Sequence, residues 1–360
     1  MDAELERERV VACHWLLLRL AGTLPDGLIA QCRSWLAQNR TSDLGRSVAH
    51  AVLSQRVRLA DAEIDLLAEL SAADVDTMAL FMVDVLDSEP LPKHAFAPRR
   101  ADADRGARLS AADDRPRAPV FEAAPEDDVD RAVLAEMRPD SAILALWRVW
   151  RFPGDGASWP PPRRVFVVEV DRDAELAGTA AWLQDVATDA CEIDPQIEVY
   201  PVHGSLPSYQ RLARAYGALI WTRNPHPGMS VAVPFGQGDH NGPHSSAEQP
   251  VIRGEEADRL IRYLNGGELL LSTTARLEDA VNPGRGAVVP MNFRTDGHWI
   301  WSDAAVCYLK QYGLAPDANL IAHIHRRGFV VPKTDGAAIH RALAALQEPQ
   351  ADGPAWINGT

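Results

Sequence analysis

The chain has 360 residues, 46% of them hydrophobic and 24% charged, with a formal net charge of -14; these values suit a globular protein with room for two domains. No run approaches the roughly eighteen apolar residues of a membrane span, and sequence-independent nucleic-acid binding needs clustered Lys and Arg that a net negative charge does not suggest. The acidic start MDAELERER lacks the positive segment of a signal peptide, so a cytoplasmic protein is expected.

Residues 1–92 read as a helical bundle of adaptor type. Apolar residues recur at helical spacing: Val10, His14, Leu17, Leu18 and Ala21, then Ile29, Cys32 and Leu36, then Leu44, Val48 and Val52. Ile64, Leu67 and Leu70 mark a further helix, and Met78, Met82 and Leu86 another. The segment carries 15 acids against 8 bases, the most acidic balance in the chain for its size, so a protein partner with a basic surface is expected. His14 and His50 have no Cys or second His at ligand spacing and read as structural. Cys13, Cys32, Cys191 and Cys307 form no Cys-x-x-Cys pair, which predicts buried free thiols and no metal site.

From residue 93 to 119 the only large apolar side chains are Phe96 and Leu109. Such a stretch buries too little surface to order itself, so a disordered linker is expected over 93–126.

Residues 127–348 read as an α/β domain. A helix with Val129, Val133 and Met137 precedes strands predicted at 141–152, 164–170 (RVFVVEV), 196–200, 218–222 and 268–272, with helices between most of them. Alternation of strand and helix predicts right-handed parallel crossovers, hence a mostly parallel βαβ sheet in an overall α+β or α/β fold. The domain ends in a β-hairpin and helices, and 349–360 should be a frayed tail.

The hairpin is the most consistent local pattern. Residues 288–293 and 298–301 read as strands around the turn Thr295-Asp296-Gly297, where glycine supplies positive φ and Asp296 can bond its own backbone. Ser302 stands at a helix N-cap position and Gly313 at a C-terminal stop; Pro316 suits the start of the next helix, which Gly328 ends. Trp299 and Trp301 fall on one face, either as core or as an exposed binding pair. Arg294, Asp296, Trp299 and Trp301 are the candidate binding residues.

For chemistry the sequence offers less. There is no Gly-x-Gly-x-x-Gly, no phosphate-binding Gly-Lys-Ser/Thr loop and no Gly-x-Ser-x-Gly elbow, so no cofactor is expected. The long segment 224–250 contains His226, Asp239, His240 and His244, but Gly242-Pro243 prevents the helix that would bring His240 and His244 together on a metal. His203, Asp239 and His240 are the candidate catalytic residues should the protein be a hydrolase working at the carboxyl edge of the sheet.

The run PMNFRTDGHWIW, the helix SDAAVCYLKQYG and the following APDANLIAHIHRRGF resemble an uncharacterised actinobacterial α/β module, some of whose members accompany polymorphic toxin and immunity genes. The likeness covers about residues 265–347, more weakly the preceding α/β part, and implies no catalytic residues. It implies a binding or immunity-like role. The expected function is therefore a non-enzymatic adaptor or immunity-like interaction protein, with the hydrolase as the alternative.

Overall fold

A computed structural model of the chain describes residues 2–71, 77–86, 88–106, 120–121, 124–155, 157, 159–225, 228–233 and 250–347. The fold is α+β: helices first, then mixed sheets. The chain divides into two compact units, Met1–Asn224 and Pro225–Thr360, described in turn.

The first unit opens with helices α1 (Asp2–Leu20), α2 (Asp26–Ala37), α3 (Thr41–Gln55), α4 (Asp61–Ser71) and α5 (Thr77–Phe81). Their apolar stripes meet in one core of Leu16, Leu17, Leu20, Ile29, Leu36, Leu44, Val48 and Leu67. Cys13 and Cys32 lie fully inside, and burial pushes both thiols up to about 12. Cys191, in contrast to the expectation of burial, is exposed.

There follow β1 (His94–Ala97), α6 (Arg100–Gly106), β2 (Val120–Phe121), α7 (Asp128–Ala135), β3 (Ile143–Pro153), β4 (Arg163–Val170), α8 (Leu176–Asp189), β5 (Gln196–Pro201), α9 (Ser208–Tyr216) and β6 (Ala218–Thr222). The sheet runs β2-β6-β3-β4-β5, with β1 beside β3. Two corrections to the sequence reading arise here. The sheet is mixed: β4 and β5 are parallel, as are β2 and β6, but β3 is antiparallel to β4, β6 and β1. The physical reason is the β3–β4 connection, a short proline-rich loop with no crossover helix, which can only return the chain antiparallel.

The second correction concerns the expected linker. Residues 94–106 hold a strand and a helix, because the small motif His-Ala-Phe-Ala fills the side of β3 beyond the end of β6: β6 pairs with 145–148 and β1 with 150–153. Arg148 donates to the Pro98 carbonyl oxygen at 3.2 Å, and the guanidinium groups of Arg100 and Arg164 lie 5.3 and 4.8 Å from the centre of the Trp150 ring. Residues 107–119 of that segment lie outside the described residues. Nor does the bundle stand apart from the sheet. Arg151 donates to Asp26 at 2.6 Å, Gln210 to the Leu18 carbonyl at 2.7 Å and Gln184 to the Ala30 carbonyl at 3.0 Å, while Arg33 pairs with Glu198 at 2.7 Å with both side chains buried. Buried polar groups of this kind need their partners in the neighbouring layer, so helices and sheet share one unit.

The second unit contains β7 (Ser230–Val231), α10 (Glu255–Gly266), β8 (Glu268–Leu271), β9 (Arg276–Glu278), β10 (Ala287–Pro290), β11 (Phe293–Thr295), β12 (Trp299–Ser302), α11 (Asp303–Tyr312), α12 (Ala318–Arg326) and α13 (Gly336–Gln347). One sheet has the order β7-β12-β11-β8; β9 and β10 form a separate pair. The expected hairpin strand over 288–293 is thus split: Pro290, which has no N–H to donate, ends β10, and only β11 pairs with β12. Leu260, Tyr263, Leu264, Trp301, Leu309, Leu320 and Ile324 make the core. The strand expected at 268–272 belongs to this sheet, so the single α/β domain read over 127–348 is divided at residue 224.

Candidate functional site

The β11–β12 turn is built from its own side chains. Gly297 adopts φ +85°. Asp296 accepts the backbone N–H of His298 at 2.9 Å and of Trp299 at 2.8 Å, while Thr295 Oγ1 donates to the Trp299 carbonyl at 2.7 Å. The other oxygen of Asp296 accepts from the Tyr263 hydroxyl at 2.6 Å and lies 2.7 Å from Nε2 of His323. Its side chain is wholly buried. Burial alone would raise its pKa, but four donors, Tyr263 foremost, hold the carboxyl below the ordinary range. The Tyr263 hydroxyl is correspondingly pushed up, by burial first and then by its bond to Asp296.

Of the four candidate binding residues, Asp296 is therefore spent on the turn and on clamping α10 and α12. Arg294 is engaged as well: Nε donates to Asp303 at 2.8 Å, and Nη1 to the carbonyls of Gly267 at 3.0 Å and Asn265 at 3.1 Å. Trp301 is 1% exposed and gives its indole N–H to the Leu264 carbonyl at 3.1 Å. Gly267 makes room for it, since a Cβ there would enter the indole ring. Trp299 is half-buried, its ring centroid 6.2 Å from that of His323.

Sequence reasoning missed Tyr263 and His323. The signal was present in His323, which follows Leu320 by three residues on the buried stripe of α12; a polar group on a buried helical face needs a partner. Although a carboxylate, an imidazole and a phenol converge here, none of the three lines the clefts of about 310, 370 and 450 Å³. The cluster is a latch between elements of the second unit.

Among the candidate catalytic residues, His203 is exposed at φ +63° just beyond β5, and no side-chain hydrogen bond or ion pair joins it to another described residue. Asp239 and His240 lie outside the described residues, as do His226 and His244. At the same sheet edge Asp171 is bound in two-pronged fashion by Arg223, at 2.8 and 2.9 Å. Among the described residues no group of three or more His, Cys, Asp or Glu is arranged to hold a metal ion.

No family model, no curated protein and no solved structure matches this chain.

One surface of the second unit departs from ordinary burial. Strand β8 ends the β7-β12-β11-β8 sheet, so one side of its backbone has no strand partner among the described residues. Its Leu269 and Leu271 are 45% and 46% exposed, and Leu277 of β9 is 36% exposed. Edge strands are usually blunted by lysine or proline; β8, Glu-Leu-Leu-Leu, has neither, and a bulge opposite Phe293 and Arg294 is its irregularity. Exposed Glu268 and Glu278 accompany the leucines. An edge of this kind can take up an extended segment by main-chain hydrogen bonds, with leucines supplying apolar contact.

Proposed function

We infer that this chain is a non-enzymatic protein-interaction protein, of adaptor or immunity-like type, working in the bacterial cytoplasm. The observation that carries the reading is the leucine-rich edge strand β8, exposed where a strand of this composition is ordinarily covered. The partner is another protein. It offers an extended apolar segment flanked by basic residues, which Glu268 and Glu278 attract. The likeness of 265–347 to modules found beside toxin and immunity genes supports the conflict-system setting. No helix among the described residues is long and apolar enough to cross a membrane, and neither a membrane nor a nucleic acid enters the reading.

For the hydrolase alternative, Glu256 and His325 stand 3.1 Å apart in the cleft of about 310 Å³, but both side chains are nearly half exposed and no Ser, Thr or Cys lines that cleft beside them.

The experiment places a photo-crosslinking amino acid at position 271 in the native host, identifies the covalently captured protein and measures its affinity for purified wild-type and Leu269→Asp, Leu271→Asp chains. The double substitution should weaken binding at least about tenfold, or about 1.4 kcal/mol, with an unchanged melting temperature. Equal affinity of the two chains would dismiss the edge strand as the docking site.

A further inference from the structure

The first 92 residues form the most acidic segment, yet three of its eight arginines, Arg19, Arg56 and Arg58, line one cleft of about 370 Å³ together with the adjacent Lys93. The cleft lies within the first unit, where the C-terminal ends of α1 and α3, Leu86, the segment 89–94 and the start of α9 meet. Arg56, Arg58 and Lys93 are exposed, and no side-chain hydrogen bond or ion pair ties them to other described residues. Arg19 pairs through Nε with Glu63, while its Nη2 is buried without a hydrogen-bond partner.

Like charges gathered at one cleft repel one another unless an anion joins them. Arg56, Arg58 and Lys93, the three cations of the cleft that no described carboxylate engages, focus a positive potential in the concavity. Guanidinium groups present planar forks that match phosphate oxygens, and lysine adds a mobile point charge. The volume falls within the range of small-molecule sites. The remaining wall differs in chemistry. Glu89 accepts the Ser208 N–H at the start of α9, so the helix terminus is already satisfied by the chain itself. The ring of Tyr209, edge-on to His94, supplies an apolar surface next to it.

We propose that this cleft binds an organic phosphate of roughly mononucleotide size. The phosphate sits on Arg56, Arg58 and Lys93, and the hydroxyl-bearing remainder faces Glu89 and Tyr209. A carboxylate in an otherwise basic cleft repels a bare anion but accepts hydrogen bonds from ligand hydroxyls, which separates an organic phosphate from inorganic phosphate.

Calorimetric titration of the full chain with AMP, ribose 5-phosphate and inorganic pyrophosphate tests this. At least one of the organic phosphates should bind with Kd below about 1 mM and more tightly than pyrophosphate. In Arg58→Ala, Lys93→Ala the Kd should rise at least about tenfold, or about 1.4 kcal/mol. The exposed control Arg138→Ala, which removes a positive charge elsewhere in the unit, should leave it within about twofold. Heat of binding absent for all three probes, equal binding by pyrophosphate, or equal losses in the control and the cleft variant would each overturn the proposal. A circular-dichroism melt matching wild type shows that the cleft variant is folded.

Discussion

His14 on α1 places Nε2 2.8 Å from the carbonyl oxygen of Val199 on β5, so a helix of the bundle supplies a hydrogen bond to the outermost strand of the sheet. The imidazole is buried, and burial, helped by the nearby charge of Arg33, lowers its pKa to about 4. The neutral ring donates to the carbonyl; a protonated ring would place an unpaired charge inside.

A pH dependence follows from that pair. The unfolded chain takes up a proton on this histidine near its ordinary value of about 6.5, whereas the folded chain resists until about 4. The contribution of neutral His14 is therefore complete above the unfolded value and is lost as pH falls through this window, at up to about 1.4 kcal/mol per pH unit. His94, also lowered to about 4 by burial first and then by Arg151, adds to the slope. Urea melts of wild type and His14→Gln between pH 7.5 and 4.5 should show a shallower acid limb in the variant, which can still donate to Val199 but carries no titrating group. Parallel limbs would remove His14 from the account.

The hairpin tryptophans should separate in their effect on stability. Trp301→Ala empties a fully buried site and deletes the bond to Leu264, a loss of about 3–5 kcal/mol. Trp299, half-buried, should lose clearly less. Gly297→Val places a β-branched residue at φ +85° with its Cβ 3.5 Å from those of Ala338 and Thr334 Cγ2 and should destabilise through backbone strain. Chemical denaturation of the three variants gives the ranking directly.

Asp296 should matter to stability through its donors. Asp296→Ala strands the Tyr263 hydroxyl, the His323 ring and two backbone N–H groups, and each buried unpaired group costs about 1–3 kcal/mol; a total loss of about 3 kcal/mol or more is expected. Because the folded carboxyl lies below its ordinary range, its contribution is present above the unfolded carboxylate pKa of about 3.9 and disappears as pH falls through the folded value. Denaturant midpoints at pH 7 and pH 3 should differ more for wild type than for the variant.

Elements with their own periodicity could be read from sequence: the stripe from Val10 to Ala21, the valine-rich β4, and the turn at Gly297. The αL stop at Gly313 could be read as well. Helix α12 began slightly later than Pro316 suggests, because Asp317 caps it by accepting the N–H groups of Asn319 and Leu320. What escaped was set by distant partners. His94–Ala97 is too short and too polar in its setting to announce a strand, and it forms because β3 is longer than β6. Asp130 looks like one more surface acid of α7, yet it is buried against Arg148 at 2.6 Å and Arg164 at 2.8 Å. Likewise the Asp296–His323 contact joins residues 27 apart, and no local pattern specifies it. The exposed edge of β8 was hidden for the opposite reason: residues 268–272 read simply as a further strand of the α/β sheet, and only the sheet order leaves β8 at the margin.

Amide hydrogen exchange of the full chain, alone and with the protein captured from position 271, tests the edge-strand account most directly. Main-chain pairing along β8 should slow exchange over residues 268–271 by at least about tenfold, equivalent to about 1.4 kcal/mol of added protection, with smaller changes in β11. Unchanged exchange over 268–271 in a saturated complex would contradict it.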